Sequence, residues 1–270
     1  KVRHIHIGDR FIHPNLRPDV GNGYTKTYGG MAEFGLVCDQ QAMLEDGVCR
    51  ETEVPFYKKQ GRFSKNIDYI DGAMLLSLSE CHSAAKNFGV GAGSSVLFYG
   101  AGPMGTALAL FMRLQGAKKI TVIDALDDRL ENSKRIVGTE HTINYTKVST
   151  QKEIASELFD FVVDAVGSSS IVLEGSQYLR EGGTMCSLGV LKAGDTLIDA
   201  SKLKNNTCLH MLNFPFGEYD ILPETISMVE CGQVNPKDYY SHVVPFTDIS
   251  RALDLITSRE AFKVILDFDV

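Results

Sequence analysis

The stretch VLFYGAGPMG at residues 96–105 joins an apolar run to a glycine-rich turn. A short continuous apolar run bounded by glycine is typical of a buried strand in a parallel sheet. In the turn, Gly100 permits a tight bend, Gly102 lets backbone N–H groups approach an anion, and Gly105 lets the next helix pack closely on the strand. The pattern therefore predicts a phosphate-binding turn at a helix N-terminus, where unpaired N–H groups and the helix dipole favour negative charge.

A second apolar run, ITVID at residues 120–124, ends on an acid. Asp124 follows the glycine turn by about 20 residues, which is where a carboxylate binds the ribose hydroxyls of a dinucleotide. Strand, turn, helix, strand and acid follow one another in order, so we predict a dinucleotide-binding unit rather than a structural glycine turn. Because the carboxylate would repel a 2′-phosphate, the sequence favours NAD over NADP.

Apolar strands alternate with helices along the middle of the chain, and this alternation predicts a parallel sheet covered on both faces. Residues 1–45 are predicted to be β-rich, with residues 48–67 as a long polar loop. Predicted strands are 96–99, 120–123, 142–144, 159–165, 184–189, 243–246 and 263–268. Predicted helices are 71–88, 104–115, 127–137, 168–179, 221–231 and 248–257.

The composition excludes several classes of function. The 270 residues carry a formal charge of −7, which favours neither nucleic acid nor an anionic membrane as a partner. No apolar run reaches the roughly 18 residues of a membrane span, and the first residues lack the apolar core of a signal peptide. The six cysteines form no C-x-x-C pair, which argues against a disulfide scaffold and a cysteine-rich zinc lobe. We expect a cytoplasmic protein.

The chain as a whole resembles the medium-chain dehydrogenase family, and specifically its zinc-type alcohol and polyol (sorbitol-like) dehydrogenase branch. The resemblance implies a Rossmann doubly wound parallel sheet at residues 72–213. It also implies a partial GroES-like, β-rich catalytic domain at residues 1–71, to which residues 214–270 return. The segments that carry it are HIHIGDR, YGGMAEF, ECHSAAKNFGVGAGSSVLFYGAGPMG, ITVIDALDDRLENSK, FDFVVDAVG, LREGGTMCSLGV and VNPKDYYSHVVPFTDISRALDLITSREAFKVIL.

The resemblance also implies a set of residues that bind NAD. A phosphate loop, a ribose acid, a basic residue near the adenine and two strand ends flanking the ribose and nicotinamide are expected. The phosphate loop is formed by Gly100, Gly102, Pro103, Met104 and Gly105. The ribose acid is Asp124, and the basic residue near the adenine is Arg129. The two strand ends are Ala165, Val166 and Gly167, and Leu188 and Gly189. The implied reaction is hydride transfer from a secondary alcohol of a polyol, sugar derivative or hydroxy acid, in a homodimer or homotetramer.

The chain departs from the family pattern at the catalytic zinc. The family's first zinc ligands lie upstream of the segment that matches HIHIGDR, so the chain is expected to be N-terminally truncated. A glutamate ligand of the polyol branch falls here on Leu75 or Leu76, which cannot bind a metal. His4 and His6 are predicted to lie on one solvated face of a strand rather than to bind a metal together. We therefore assign no metal ligand and no catalytic residue, and expect zinc only in the complete family enzyme.

Two other functions remain open at this point. One is a zinc-independent quinone or enoyl reductase of the same fold, which Asp124 disfavours because such enzymes use NADPH. The other is a nucleotide-binding remnant without catalysis. The loop at residues 48–67 is rich in basic and aromatic side chains. It is either a solvated surface or an oligomer contact, or else a lid over an anionic substrate.

Overall fold

The computed structural model describes residues 1–12, 31, 35, 37–48, 50, 60–139, 141–195 and 197–269. The helices in these residues are α1 (Gln40–Glu45), α2 (Tyr69–Gly72), α3 (Leu75–Phe88), α4 (Pro103–Leu114), α5 (Asp127–Val137), α6 (Thr150–Ile154), α7 (Ser169–Ser176), α8 (Leu222–Glu230) and α9 (Ile249–Thr257). The strands are β1 (Arg10–Phe11), β2 (Arg62–Phe63), β3 (Ser95–Tyr99), β4 (Lys119–Asp124), β5 (His141–Asn144), β6 (Phe159–Asp164), β7 (Leu179–Ser187), β8 (Cys208–Met211), β9 (His242–Pro245) and β10 (Val264–Asp267).

The chain divides into two compact units, one of residues 80–218 and one of residues 1–79 with 219–270. The first unit contains a six-stranded sheet in the order β5-β4-β3-β6-β7-β8. Every pair of neighbouring strands is parallel. Counted from β3, this is the order 3-2-1-4-5-6 of a dinucleotide-binding sheet. The predicted Rossmann α/β class is therefore confirmed.

Burial of the central strands explains their uninterrupted apolar sequences. Val96, Leu97 and Phe98 of β3 have no exposed side-chain surface, and neither do Val162 and Val163 of β6. Strands buried on both faces gain hydrophobic stabilisation from every residue, at roughly 25 cal/mol for each Å² of apolar surface removed from water. The phosphate loop and its neighbouring turns are thus attached to the most rigid part of this unit.

The prediction was wrong about the segment between α7 and the end of β7. A helix was predicted to continue to residue 179 and a strand to begin at 184, but the strand begins at Leu179. Leu179 pairs with Phe159, and after a register shift Thr184 pairs with Phe161. Gly182 adopts φ +74°. Gly182 and its neighbour Gly183 therefore form a bulge inside the strand rather than a turn before it.

In the second unit, β1 pairs with β2 antiparallel, and β9 pairs with β10 parallel. One apolar cluster joins Ile12, which follows β1, and Phe63 of β2 to α3 and α8. Another is formed by α9 with β9 and β10. The predicted helix 71–88 is split, because α2 ends at Gly72 and α3 begins at Leu75.

The strand predicted to carry His4 and His6 is absent from the described residues 1–12. Within that described range, β1 is the only strand. The backbone N–H groups of Arg3 and His4 instead donate to the Asp39 carboxylate, at 2.6 and 2.7 Å. That carboxylate also caps α1. A long-range hydrogen bond to a helix cap has replaced the predicted strand.

Several predictions fall outside the described residues. They are the strand that enters through residues 28–37, apart from residues 31, 35 and 37, and half of the polar loop 48–67, where 49 and 51–59 are not described. In the described half the loop prediction was wrong, because residues 62 and 63 form β2, pair with β1 and bury Phe63. Among the residues that are described, no helix has the length and apolar character needed to cross a bilayer.

Candidate dinucleotide-binding site

The predicted site residues meet at the point where the strand order of the sheet reverses. β3 is hydrogen-bonded to β4 on one side and to β6 on the other. At such a switch point the two connections leave in opposite directions, and a crevice opens beyond the carboxyl ends of the strands. Tyr99, Asp124 and Asp164 end β3, β4 and β6. The turns that follow these three strands therefore lie at the edge where such a crevice is expected.

The turn after β3 has the geometry of a phosphate loop. Gly100 has φ +103°, a conformation that side chains disfavour, and its N–H donates to the Ile123 carbonyl at 2.9 Å. Gly102 is the N-cap of α4, and Pro103 occupies the first turn, where a missing N–H costs nothing. A Cβ on Gly105 would overlap the Gly100 carbonyl, whose carbon would lie at 3.1 Å. Gly105 therefore permits the close packing of helix and strand.

Space remains open on the outer side of Gly102. A Cβ built on this residue would meet nothing nearer than Nη1 of Arg129, at 3.9 Å. Arg129 lies in the first turn of α5, and its guanidinium lies close to the phosphate loop. Open space beside a helix N-terminus, with one guanidinium nearby, fits a diphosphate.

Asp124 is tied to the same loop. Its buried carboxylate accepts a hydrogen bond from the Ala101 N–H through Oδ2, at 2.7 Å, and from the Leu126 N–H through Oδ1, at 3.0 Å. A carboxylate has about four acceptor positions, so each oxygen retains capacity for a further donor. Two adjacent ribose hydroxyls would supply such donors. The position and the remaining capacity both fit the predicted ribose contact.

Sequence reasoning missed Asp164, at the end of β6. Its carboxylate is fully buried and accepts from the N–H groups of Val166 and Gly167 through Oδ1, both at 2.9 Å. Oδ2 accepts from the Ser168 N–H at 3.2 Å. This carboxylate holds the turn that carries Ala165, Val166 and Gly167. The available signal was the sequence DAVG, because an aspartate just before a turn often binds the following N–H groups.

The end of β7 is fastened to the same turn. The N–H groups of Leu188 and Gly189 both donate to the Asp164 carbonyl at 3.0 Å. A Cβ on Gly189 would overlap the Gly167 backbone, with its Cα at 2.6 Å. The structure thus brings together the two predicted strand ends, and only glycine fits where they meet.

A catalytic zinc does not fit the residues that are described. Leu75 is fully buried in an apolar cluster and Leu76 packs against it, so neither position can ligate a metal. Within the described parts of the chain, no three His, Cys, Asp or Glu side chains are grouped as a metal site would require. We assign no step to a metal held by these residues.

Comparison with known proteins agrees with this geometry. The family model of the zinc-binding dehydrogenases matches residues 103–230. Probable D-xylulose reductase A of Aspergillus niger is 27% identical over 214 residues, which cover 76% of this chain and 59% of that protein. Sorbitol dehydrogenase 1 of Saccharomyces cerevisiae is 26% identical over 290 residues, which cover 98% of this chain and 76% of that protein.

Among solved structures, the alcohol dehydrogenase TADH from Thermus sp. ATN1 is similar with a TM-score of 0.68 and 24% identity. The similarity covers 77% of this chain and 61% of that one, and it establishes the fold. The chain spans about three fifths of the length of the xylulose reductase and of the Thermus enzyme. The chain is therefore similar to zinc-type alcohol and polyol dehydrogenases, and residues 103–230 carry the match to the zinc-binding dehydrogenase family model.

Proposed function

We propose that residues 80–218 bind NAD for an oxidoreductase that transfers a hydride from a secondary alcohol of a polyol, sugar derivative or hydroxy acid. The observation that carries the proposal is Asp124, whose carboxylate is fixed by Ala101 yet keeps acceptor capacity beside the open turn at Gly102. A carboxylate at this point selects a free ribose 2′-hydroxyl over a 2′-phosphate.

The chain's own residues would bind and orient the cofactor. The N–H groups of Met104 and Gly105, with the Arg129 guanidinium, would take the diphosphate. Ala165, Val166 and Gly167, together with Leu188 and Gly189, would form the wall beside the ribose and nicotinamide and exclude water from it. When bound, NAD supplies the acceptor of the hydride.

The substrate class and the assembly are also proposals. Relatives named for sorbitol, D-xylulose and D-arabinitol point to a polyol as the alcohol. We propose that residues 1–71 and 214–270 contribute to a GroES-like catalytic domain, that the protein is a cytoplasmic homodimer or homotetramer, and that the substrate is a small molecule. No catalytic residue is assigned among the described residues.

A cofactor titration tests the proposal. The chain should bind NADH at least tenfold more tightly than NADPH, because charge-assisted hydrogen bonds contribute about 1.5–3 kcal/mol. Asp124→Ser should erode that preference. Asp128→Ser, a change of the same kind in the exposed first turn of α5, should leave it intact. Fluorescence of the reduced nicotinamide gives both dissociation constants.

Equal affinities for NADH and NADPH in the unmodified chain would overturn the cofactor assignment. A preference for NADPH would instead favour the zinc-independent reductase. The substrate proposal is tested separately on the full-length protein, by following NADH formation with sorbitol and D-arabinitol and NADH consumption with D-xylulose. Tight NADH binding with none of these reactions would contradict the polyol assignment alone.

A further inference from the structure

Asp195 makes a contact that neither the family resemblance nor the proposed cofactor site explains. It lies in the connection between β7 and β8, after a turn in which its N–H donates to the Lys192 carbonyl at 2.9 Å. Its carboxylate accepts from the Ser168 hydroxyl at 3.2 Å and from the Ser169 N–H at 3.2 Å. The Ser169 hydroxyl donates to its other oxygen.

These contacts cap α7 from a distant part of the chain. Ser168 is the N-cap residue, but its hydroxyl does not bond to the helix backbone. The Asp195 carboxylate takes that place and lies at the helix N-terminus, where negative charge is stabilised. The three hydrogen bonds hold the pKa of Asp195 below its usual range, mainly through the Ser169 hydroxyl and N–H. The carboxylate is therefore ionised at neutral pH.

The segment between Gly189 and Asp195 is held at both ends. At its start, Leu188 and Gly189 bond to the Asp164 carbonyl, and at its end Asp195 bonds to Ser168 and Ser169. Between these two anchors, Val190 is 82% exposed. Without the second anchor, the segment would be attached to the β6 turn only at its first residues.

We propose that Asp195 is a positioning residue for the nicotinamide half of the cofactor. It clamps residues 189–195 onto the turn at Gly167 and Ser168, and so keeps the wall formed by the ends of β6 and β7 in one arrangement. Asp195 does not touch the phosphate loop or Asp124. This inference rests on the proposed function, because it concerns the same cofactor site.

The test compares two ligands in the same chain. AMP occupies the adenosine side of the site, whereas NADH also needs the wall that Asp195 holds. Asp195→Ala should weaken NADH binding by about fivefold to tenfold, in the range of couplings between neighbouring groups, and leave AMP binding unchanged. Asp195→Asn, which keeps one acceptor oxygen, should recover part of the NADH affinity. Calorimetry measures both ligands.

A matched control lies in the same connection. Asp199 accepts from the Ser201 N–H at 3.1 Å and from its hydroxyl at 2.6 Å, and it caps the short helix Ala200–Lys202. Asp199→Ala removes a local cap from the same connection and should change neither affinity. A second variant, Ser169→Ala, removes one of the hydrogen bonds to Asp195 and should weaken NADH binding by a smaller factor than Asp195→Ala.

The outcomes separate this inference from the proposed function. Absence of NADH binding in the unmodified chain would refute the proposed function. NADH binding that is tight there and equally tight in Asp195→Ala would refute the clamp. Equal losses of AMP and NADH affinity would show that Asp195 stabilises the unit as a whole, which also contradicts the positioning role.

Discussion

The turns after β4 and β6 both begin with a buried aspartate, but their hydrogen bonding differs. Asp164 holds three N–H groups of its own turn, and the next strand end bonds to its carbonyl. Asp124 accepts two N–H groups, one of them from the phosphate loop, and keeps acceptor capacity on both oxygens. A carboxylate that accepts three N–H groups of its own turn mainly organises the backbone, whereas one with a spare position on each oxygen can bind a ligand.

The glycines of these two regions differ in the same way. At the end of β6 and β7, Gly167 and Gly189 are glycine because another backbone segment occupies the place of a side chain. In the phosphate loop, the place of a side chain on Gly102 is open. An aspartate and a glycine at a strand end therefore indicate a ligand site only when the space around them is empty. Four experiments test this comparison, from the largest expected effect to the smallest.

Gly189→Ala should lower the free energy of unfolding of the unit by about 3 kcal/mol, because the new Cβ would overlap the Gly167 backbone, which cannot move aside. Urea unfolding followed by circular dichroism measures the change. Gly91→Ala is the control, since its Cβ would meet nothing within 4 Å. Equal stability of the two variants would show that the strand ends are less tightly joined than described.

Asp164→Asn should cost about 2 kcal/mol of unfolding free energy. The amide group of asparagine would present a donor to at least one of the three N–H groups that the carboxylate accepts, and a buried unmet N–H costs about 1–3 kcal/mol. The ratio of NADH to NADPH affinity should stay as in the unmodified chain. A changed ratio would give Asp164 a direct role in ribose selection, which the comparison denies.

Gly102→Ala should change stability by only about 0.5–1 kcal/mol, the usual difference between glycine and alanine at a helix N-cap. The methyl group would nevertheless project into the open space of the phosphate loop. NADH affinity should therefore fall at least tenfold while the thermal midpoint moves little. If affinity is retained, the diphosphate does not approach Gly102, and the open space has another use.

The smallest effect concerns Asp127, in the first turn of α5. Lys147 and Asn144 hydrogen-bond to its carboxyl and hold its pKa below the ordinary aspartate value of 3.8. Near pH 3.8 Asp127 binds more protons in the unfolded chain than in the folded one. The stabilisation by its bonds to Lys147 and Asn144 is therefore present above about pH 4 to 5. It is lost as the pH falls through the lowered pKa of the folded state.

Asp127→Asn should therefore be less stable than the unmodified chain at pH 6, by an amount that shrinks as the pH falls from 5 towards 3. Urea unfolding at several pH values measures the gap. Asp128→Asn, in the same turn, controls for the change in net charge. A gap that stays constant over this range would show that the ion pair with Lys147 does not stabilise the fold.

The strand–turn–helix–strand unit on the ligand side of this comparison was predicted from sequence patterns and is present, whereas the ligand contacts of its residues stay a prediction. The phosphate loop and the acid at Asp124 lie within one strand–turn–helix–strand unit, where each residue type answers a local demand on the backbone or on an anion. The bulge at Gly182 was mistaken for a turn, because glycine permits both and only pairing with β6 separates them. The strand predicted around His4 was wrong for a related reason. The backbone there bonds to Asp39, which is far away in the sequence.

The sequence by itself determined the class of the sheet and the position of the glycine turn after β3, and it predicts the preference for a free ribose. These follow from hydrophobic periodicity and from glycine and aspartate at set distances. Tertiary structure alone decided that Gly189 meets Gly167 and that Asp195 caps α7. Each of these depends on hydrogen bonds or contacts between the turn after β6 and the segment after β7. No local pattern encodes such contacts, because they exist only once parallel strands have brought their carboxyl ends to one edge.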